Sequence, residues 1–328
     1  MNQFVSGAAR YLKSDRTSVR RLIQYIFLAS TIYVGIRFYL YLAALGAGDM
    51  SAVKPGGVEA FLPISALMGF KRLVLSGNYD MVHPAGLTLL IVFLLISIIF
   101  KRGFCGYICP IGLISETVGA SGKNIKIHRF AAYPLFLLKY LLLGFFVYII
   151  LIQMSLPAIE GFLNAPYNKV SDAKMMNFFA DPSRTTLIVL AVLMILGLLF
   201  RNFWCRFLCP YGALMGLVSL VSPFKIKRNS EACINCMKCT NICPMDIQVH
   251  KAGTIHSPEC IGCHDCVRVR ANDNCLKTCK TDYRYLTLAV FLLFWAAVAA
   301  AVLTGFWKSE VSNEEYRFWL ERLGQLSH

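Results

Sequence analysis

Long apolar segments alternate with polar, mostly basic segments along the chain. Five apolar segments reach or approach the roughly 20 residues that a helix needs to cross the hydrocarbon core of a bilayer. They occupy residues 22–45, 84–100, 133–156, 185–200 and 285–306. The pattern therefore predicts an α-helical polytopic membrane protein with about five transmembrane helices.

The composition is that of a membrane protein and accounts for the charge. Of the 328 residues, 57% are hydrophobic and 16% are charged, whereas soluble domains carry about 25% charged residues. The net charge of +15 would also suit nucleic-acid binding, but the basic residues gather before the first span, between the second and third, and after the fourth. Because cytoplasmic loops collect Lys and Arg, we expect a bacterial inner-membrane protein with a cytoplasmic N-terminus, a periplasmic C-terminus and no nucleic-acid partner.

Three features are expected at the membrane boundary. Residues 61–76 predict an amphipathic or re-entrant helix on the outer surface. Residues 310–325 predict a short charged helix whose Tyr316, Phe318 and Trp319 suit the interface. Lys139, near the inner end of the third span, is expected to extend its amine towards the interface.

The 13 cysteines are grouped rather than scattered. Between the fourth and fifth spans, Cys233, Cys236, Cys239 and Cys243 with the proline after it form C-x2-C-x2-C-x3-C-P. In bacterial ferredoxins the first three cysteines of this run bind one [4Fe–4S] cluster, and the fourth binds the other. A zinc ribbon needs only two cysteine pairs. The segment therefore predicts an inserted ferredoxin-like α+β domain with two [4Fe–4S] clusters.

The second half of this segment is less regular. Arg270 and Ala271 stand where a regular motif has its last cysteine and proline. Five cysteines remain as candidate ligands, namely Cys260, Cys263, Cys266, Cys275 and Cys279. Two clusters need eight ligands, so one of the nine cysteines is in excess.

Two ligand assignments remain open. In the first, Cys243 is joined by Cys263, Cys266 and Cys275, while Cys279 completes the other cluster and Cys260 is left over. In the second, Cys243 is joined by Cys260, Cys263 and Cys266, and Cys275 or Cys279 completes the other cluster. We prefer the first because it keeps the x3 gap between ligands of different clusters. The similarity of Cys-Ile-Gly-Cys to Cys-Ile-Asn-Cys favours the second.

A nine-residue sequence with two cysteines occurs twice, as FCGYICPIG at 104–112 and WCRFLCPYG at 204–212. Such a repeat predicts two halves related by a pseudo-two-fold axis. Proline suits the first position of a helix, so the cysteine before it should lie at the helix cap, where free N–H groups favour a thiolate.

These repeated turns would bring four thiols together at the cytoplasmic surface, those of Cys105, Cys109, Cys205 and Cys209. The four could bind a third [4Fe–4S] cluster or another metal, or act as redox dithiols. Alternatively, they are small apolar residues that pack in helical turns.

The pattern predicts three domains. Residues 1–221 form a membrane domain with four spans and both turns, and residues 222–283 form the cytoplasmic ferredoxin-like domain. Residues 284–328 form the fifth transmembrane helix and a short periplasmic tail.

A small-molecule site in a membrane protein requires one or two polar groups in an apolar pocket near the membrane interface. The candidates are Arg37, late in the first span, and Asp80 and His83, at the start of the second. Ionisable residues within a membrane indicate a functional site by default, although Arg37 could also extend to the interface.

With its two C-x3-C-P turns, its ferredoxin-like loop and the segments PGGVEAFLPISAL and HPAGL, the chain resembles the membrane-anchored polyferredoxins of the NapH, YccM and FixG group. NosR and the CcoG copper reductases carry similar modules. The resemblance implies 4Fe–4S clusters that transfer electrons between the membrane quinone pool and a redox partner, such as a cytochrome or an iron–sulfur subunit. It makes Arg37, Asp80 and His83 candidates for a quinone site. The alternatives are a cupric reductase or oxidase assembly factor, and a redox-sensing regulatory membrane protein.

Overall fold

The computed structural model describes residues 19–125, 127, 129–272, 274–278 and 282–325. The prediction that Cys279 is a candidate ligand lies outside these residues. The fold is mostly helical. Its α-helices are α1 Val19–Gly46, α2 Pro63–Ser76, α3 Pro84–Phe100, α4 Pro110–Ser121, α5 Arg129–Val147, α6 Leu156–Leu163, α7 Pro166–Lys169, α8 Ser171–Ala180, α9 Arg184–Leu199, α10 Pro210–Val218, α11 Lys238–Ile242, α12 Asp265–Arg268, α13 Tyr283–Thr304 and α14 Asn313–Glu321.

In the part of the chain that the structure describes, three helical segments are long and apolar enough to cross a membrane, namely Val19–Gly46, Ala132–Gln153 and Tyr283–Thr304. A fourth is present if α8 and α9, which are bent by 73° relative to each other, form one broken span. The α3 helix coincides with the second predicted span, but its 17 residues extend only about 26 Å at 1.5 Å each. The structure therefore gives three to four candidate spans, and five stays a prediction.

By packing, the chain divides into two units. The first, here called the cysteine unit, comprises the described residues of 19–28, 93–143 and 190–294. The second, here called the network unit, comprises residues 29–92, 144–189 and 295–325. Both units are discontinuous in sequence, and the predicted linear division into three domains stays a prediction.

The cysteine unit contains the paired strands β1 Ile226–Arg228 and β2 Leu276–Thr278. They are antiparallel, with Lys227 opposite Lys277. The loop between them has a core in which cysteines pack with aliphatic side chains such as Val249, Ile255 and Leu276. The two strands and the short helices α11 and α12 hold this loop, and its expected ferredoxin-like fold stays a prediction.

The network unit packs α2 against α6 through Met68, Ile159 and Leu163. The α2 helix lies within the predicted 61–76 segment. In the same unit Lys71 donates hydrogen bonds to three backbone carbonyls near the end of the π-helical turn Tyr148–Gln153, at 2.6–3.1 Å. These bonds satisfy carbonyl groups that a helix end leaves without partners.

The α14 helix forms where the sequence predicted a short charged helix, but Tyr316 is not at an interface. Its side chain is buried, packs on Tyr41 and donates a 2.6 Å hydrogen bond to Asp172. The apolar and hydrogen-bonding partners come from distant parts of the chain, so the pattern of the segment alone did not indicate them.

Candidate iron–sulfur centres

The two C-x3-C-P turns have the same local geometry. Each begins with a π-helical turn, Phe104–Ile108 in one and Trp204–Leu208 in the other. Cys109 and Cys209 follow in extended conformation and cap the next helix, whose first residue is the proline. The cap positions were predicted correctly because the proline sets them locally. The pseudo-two-fold relation of larger halves stays a prediction.

The turns bring their four cysteines together. Burial raises the pKa of the Cys109 thiol to about 12, and the neighbouring Cys105 and Cys209 contribute to the shift. Burial, then the proximity of Cys109, Cys209 and Cys105, raises the pKa of the Cys205 thiol well above its usual value. Thiols in such a site stay neutral at pH 7 unless a metal centre stabilises the thiolates, as happens when a coordinating thiol loses its proton.

Positive groups and N–H donors face this site. The backbone N–H of Gly212 donates to Sγ of Cys209 at 3.2 Å. The buried guanidinium of Arg102 lies 3.9 Å from Sγ of Cys105 and 3.5 Å from the backbone oxygen of Cys205. Both kinds of contact stabilise negative charge on sulfur, so the donor set fits an iron–sulfur cluster.

In the cysteine-rich loop, the two C-x2-C-x2-C sequences share one backbone conformation. Asn235 and Met237 adopt left-handed φ angles of 53° and 56°, and Gly262 and His264 adopt 64° and 60° at the equivalent positions. A short helix follows each left-handed cap residue, α11 in the first copy and α12 in the second. The second copy thus repeats the first from its first cysteine onward, which was the similarity that favoured the second assignment.

One cavity collects four cysteines from both halves of the loop. It holds about 350 Å³ of space not filled by protein atoms, part of it open to solvent. Its thiols come from Cys243, Cys260, Cys263 and Cys266, and the rest of the lining is apolar except for His264. A mostly apolar cavity with four thiols fits a cubane cluster.

A second set of thiols forms around Cys275. Its thiol interacts directly with that of Cys233 and electrostatically with those of Cys239 and Cys236. Arg228 is also hydrogen-bonded to Cys233, and the pKa of this thiol is lowered by the backbone N–H of Asn235 first and by Arg228 next. Cys275 therefore completes a group of four with the first three cysteines of the ferredoxin run.

The structure thus places Cys260 beside Cys243 and Cys275 near Cys233. Cys279 lies outside the described residues, so the choice between the two ligand assignments stays a prediction. Among the described residues, no three His, Cys, Asp or Glu side chains converge as tightly as a single metal ion requires. A cubane, whose cysteines bind different iron atoms, spaces its ligands more widely.

The first turn holds the second half of the loop. The hydroxyl of Tyr107 donates to the backbone oxygen of Gly262 at 2.9 Å. A Cβ atom on Gly106 would lie only 2.5 Å from the backbone oxygen of Ile261, so only glycine permits this close approach. Cys105 also packs in one apolar cluster with Cys243, Ile261 and Cys263. The thiols of the turns and the four-cysteine cavity are therefore adjacent.

The second turn holds the first half of the loop. Arg201 donates to the backbone oxygens of Asn241 and Cys243 at 2.9 and 3.1 Å. Asn202 donates to the backbone oxygen of Pro244 at 3.0 Å, and Arg206 lies 3.3 Å from Asp246. Each C-x3-C-P turn therefore holds one half of the cysteine-rich loop in place.

A buried ionic network adjoins the first turn. Both carboxylate oxygens of Glu259 lie 2.6 Å from Nζ of Lys139, and Oε2 lies 3.0 Å from Arg102. The hydroxyl of Tyr140 donates to the same carboxylate at 3.1 Å. Lys139 is fully buried. The expectation that its amine extends to the interface was wrong, since it pairs with an acid 120 residues away in sequence.

A second buried network ties α1 to the loop. Arg20 forms ion pairs with Glu116 at 2.7 Å and with Asp265 at 3.0 Å, and Arg21 lies 3.2 Å from Glu116. Burial alone would raise the pKa of Glu116, but Arg20 and then Arg21 outweigh it and lower the pKa to about 2. The carboxylate therefore stays charged at neutral pH. The sequence indicated none of these partners, because buried ion pairs between distant residues have no local pattern.

The quinone-site candidates lie in the network unit and do not all come together. Arg37 is exposed on α1, whereas Asp80 and His83 are buried. Nδ1 of His83 lies 3.3 Å from Glu59, and its Nε2 lies 2.7 Å from the backbone oxygen of Asn168. Burial lowers the pKa of His83, but Glu59 outweighs it and raises the pKa above its usual value. The sequence analysis did not identify Glu59 as part of this group.

The same unit buries further charges beside this histidine. Lys54 lies 2.6 Å from Asp172 and 3.4 Å from Glu59. Burial raises the pKa of Asp80, and one of its carboxylate oxygens has no hydrogen-bond partner. Unpaired buried polar atoms are rare in folded proteins and indicate a functional group or a bound molecule.

Two families of iron–sulfur domains match the chain. A family described as "4Fe-4S binding domain" matches residues 82–128 and 185–229, which contain the two turns. A family described as "4Fe-4S dicluster domain" matches residues 225–269 in the cysteine-rich loop.

Several curated proteins are similar to the chain. The putative electron transport protein YccM of Escherichia coli is 38% identical over 96% of this chain and 93% of its own length. The uncharacterized protein MJ0749 of Methanocaldococcus jannaschii is 28% identical over 55% of this chain and 65% of its own length. The ferredoxin-type protein NapH of Haemophilus influenzae is 27% identical over 57% of this chain and 67% of its own length. No solved structure matches the chain.

Proposed function

This chain belongs to the family of ferredoxin-type membrane electron-transport proteins that includes YccM, and we propose that it passes single electrons between the quinone/quinol pool and a redox partner protein. The observation that carries the proposal is the adjacency of two sulfur-lined sites. Cys105 of the first turn and Cys263 of the four-cysteine cavity both pack against one apolar cluster, which contains Cys243. Electron transfer between centres depends on such close spacing.

We assign three [4Fe–4S] clusters to the grouped cysteines. The first would be held by Cys233, Cys236, Cys239 and Cys275. The second would be held by Cys243, Cys260, Cys263 and Cys266. The third would be held by Cys105, Cys109, Cys205 and Cys209. Each cluster, when bound, would accept and release one electron, and Cys279 would not be a ligand.

The chain adapts each site through charge and burial, which are the means by which a protein sets the potential of a cofactor. Arg102 places a buried positive charge beside Cys105, which favours an added electron there. The loop is fixed to both turns by Tyr107, Arg201 and Asn202. These contacts hold the spacing between the sites constant.

The proposed arrangement in the membrane has five spans, with the cysteine sites and the N-terminus in the cytoplasm. The excess of Lys and Arg in 101–129 and 201–228 over the loops 46–83 and 157–184 supports this orientation. For the quinone or quinol we propose a site near Asp80 and His83 rather than Arg37. The first two are buried and one has an unpaired oxygen, whereas Arg37 is exposed. Since this orientation places the proposed quinone site on the outer side, a partner subunit with its own redox centre would carry electrons between it and the cytoplasmic clusters.

Iron and acid-labile sulfide per chain test the assignment, together with EPR spectra after reduction by dithionite. Three clusters predict about twelve irons in the anaerobically purified protein. Changing all four turn cysteines to serine should lower the content to about eight, and Cys260→Ser should disturb a second cluster. The matched control is Cys279→Ser, which should retain the full content.

Two results would contradict this assignment of the clusters. About eight irons in both the parent protein and the four-serine variant would exclude a cluster at the turns. Iron loss in Cys279→Ser but not in Cys260→Ser would restore the first assignment. Reduction of the clusters by a quinol analogue, and its loss on Asp80→Asn, would test the quinone end.

A further inference from the structure

The first cysteine set of the loop reaches the protein surface. Cys236 is exposed and Cys233 is half-buried, whereas Cys243, Cys260 and Cys266 of the second set are buried. Of the two sets, the first is therefore the one with an exposed cysteine. The first set is the one that a soluble molecule could approach closely.

The exposed edge is the segment 234–238, here called the rim. All five of its residues are exposed, including the apolar Ile234 at 71% and Met237 at 43%. The left-handed conformations of Asn235 and Met237 fix its shape. An apolar edge around a cluster ligand is typical of the centre of a protein interface, which is surrounded by polar residues.

The exposed charges of the same loop are almost all positive. In residues 222–278, as far as the structure describes them, the exposed charged side chains are Lys227, Lys238, Lys251 and Lys277 against Glu231. Lys227 and Lys277 stand directly opposite each other on paired strands. Like charges at opposite positions destabilise a sheet. This pair therefore lowers the stability of the fold, and a role of the two lysines in binding would explain its presence.

We propose that the rim and the lysines of its loop dock a soluble redox protein whose cofactor is surrounded by acidic side chains. The proposal rests on the proposed function, because it takes Cys233, Cys236, Cys239 and Cys275 as the ligands of the first cluster. One electron passes at this contact, so that oxidation of one centre reduces the other. The positive field speeds the encounter, as for other electrostatically steered pairs.

A redox protein fits the surface better than an anionic lipid headgroup does. The apolar residues flank the exposed cluster ligand Cys236, where only a partner with its own redox centre gains from close approach. Transient electron-transfer complexes bury little surface, below about 1,200 Å². A short apolar rim with a few lysines is sufficient for such a contact.

The test is stopped-flow oxidation of the reduced protein in nanodiscs of neutral phospholipid. Acidic cytochrome b5 and basic cytochrome c serve as the oxidants, at low and high salt. Changing Lys227, Lys238 and Lys277 together to Glu should slow the reaction with cytochrome b5 by about tenfold or more at low salt. The reaction with cytochrome c should become faster. A second variant, with the same lysines changed to Gln, should show a smaller slowing with cytochrome b5.

Two further substitutions separate the parts of the surface. Ile234→Ser should slow the reaction with cytochrome b5 at high salt as well, because it removes apolar contact rather than charge. The matched control is Lys308→Glu, an exposed lysine that follows α13. It makes the same charge change outside the loop and should leave the rates unchanged.

Iron content and EPR spectra of every variant accompany the rates. Intact clusters with unchanged cytochrome b5 rates in the Glu variant would overturn the docking proposal alone. A parent protein without the first cluster would remove both the docking proposal and the proposed function. Lysine effects that occur only in nanodiscs with anionic lipid would assign the patch to the membrane surface and would also refute docking of a protein.

Discussion

Glu259 compensates two buried cations, and its removal is the most informative change in the cysteine unit. Glu259→Gln keeps the size of the side chain but removes its charge. Nζ of Lys139 lies 2.6 Å from both oxygens, so one of these contacts would become a contact between two donors. Arg102, at 3.0 Å, would lose the same anion. Both cations are almost fully buried.

The expected loss of stability follows from this geometry. Breaking a buried ion pair by removing one partner costs about 3–5 kcal/mol, because the remaining charge is buried without compensation. Here one substitution leaves two such charges, so we expect a value near the top of that range, about 5 kcal/mol. A typical domain is stable by only about 5–15 kcal/mol. The variant should therefore lose iron readily, since the loop that carries Cys260 is anchored through the preceding Glu259.

The lysine offers the matched control. Lys139→Met leaves one cation and one anion, Arg102 and Glu259, which still neutralise each other, so we expect a loss below about 2 kcal/mol. In the double variant Glu259→Gln, Lys139→Met, the methionine removes one uncompensated charge. Its stability should lie between those of the two single variants, so in a double-mutant cycle the double variant should lose less stability than the sum of the two single losses.

Unfolding in mixed detergent micelles, followed by circular dichroism, gives the free energies, and iron per chain gives cluster retention. The expected order of stability is parent protein, Lys139→Met, the double variant, then Glu259→Gln. A Glu259→Gln protein within about 1 kcal/mol of the parent, or a Lys139→Met protein less stable than Glu259→Gln, would refute the reasoning about buried charge.

Three further predictions concern other contacts. Gly106→Ala should displace the loop and lower the iron content, because the new Cβ would lie 2.5 Å from the backbone oxygen of Ile261. The control is Gly253→Ala, whose Cβ would have no atom within 4 Å, and it should retain the parent iron content. Glu116→Gln should lower the free energy of unfolding by about 3–5 kcal/mol at pH 7. The pKa of Glu116 is lowered from 4.5 to about 2, so this difference in unfolding free energy should disappear as the pH falls through that interval. Tyr316→Phe should lower the free energy of unfolding by about 1.5–3 kcal/mol, since it removes a hydrogen bond to the buried carboxylate of Asp172. An unchanged free energy of unfolding would contradict a charged acceptor.

Features that depend on neighbouring residues were predictable from the sequence. The start of α3 at Pro84 and the cap positions of Cys109 and Cys209 follow from a proline at the first helical position. Family resemblance and cysteine spacing were sufficient to indicate 4Fe–4S binding, and the domain families that match agree. These signals are short-range, so they do not depend on how the chain folds elsewhere.

Features that depend on distant residues were not predictable. The partner of Lys139 is Glu259, and the partner of Tyr316 is Asp172, more than a hundred residues away in each case. A single sequence gives no sign of such pairs. Spacing alone likewise could not show that Gly262 repeats the left-handed conformation of Asn235.

The basic residues near the turns illustrate how one feature can serve two purposes. Counted as charges, they indicate a cytoplasmic location. In the structure, Arg201 donates to loop carbonyls, Arg102 bridges Glu259 and the turn thiols, and Arg20 pairs with Asp265. Each of these cations also lies near a cysteine of a proposed cluster, so the contacts that fasten the loop bring positive charge to the proposed cluster sites. We therefore expect attachment of the loop and cluster potential to be coupled, so that a substitution that weakens one should alter the other.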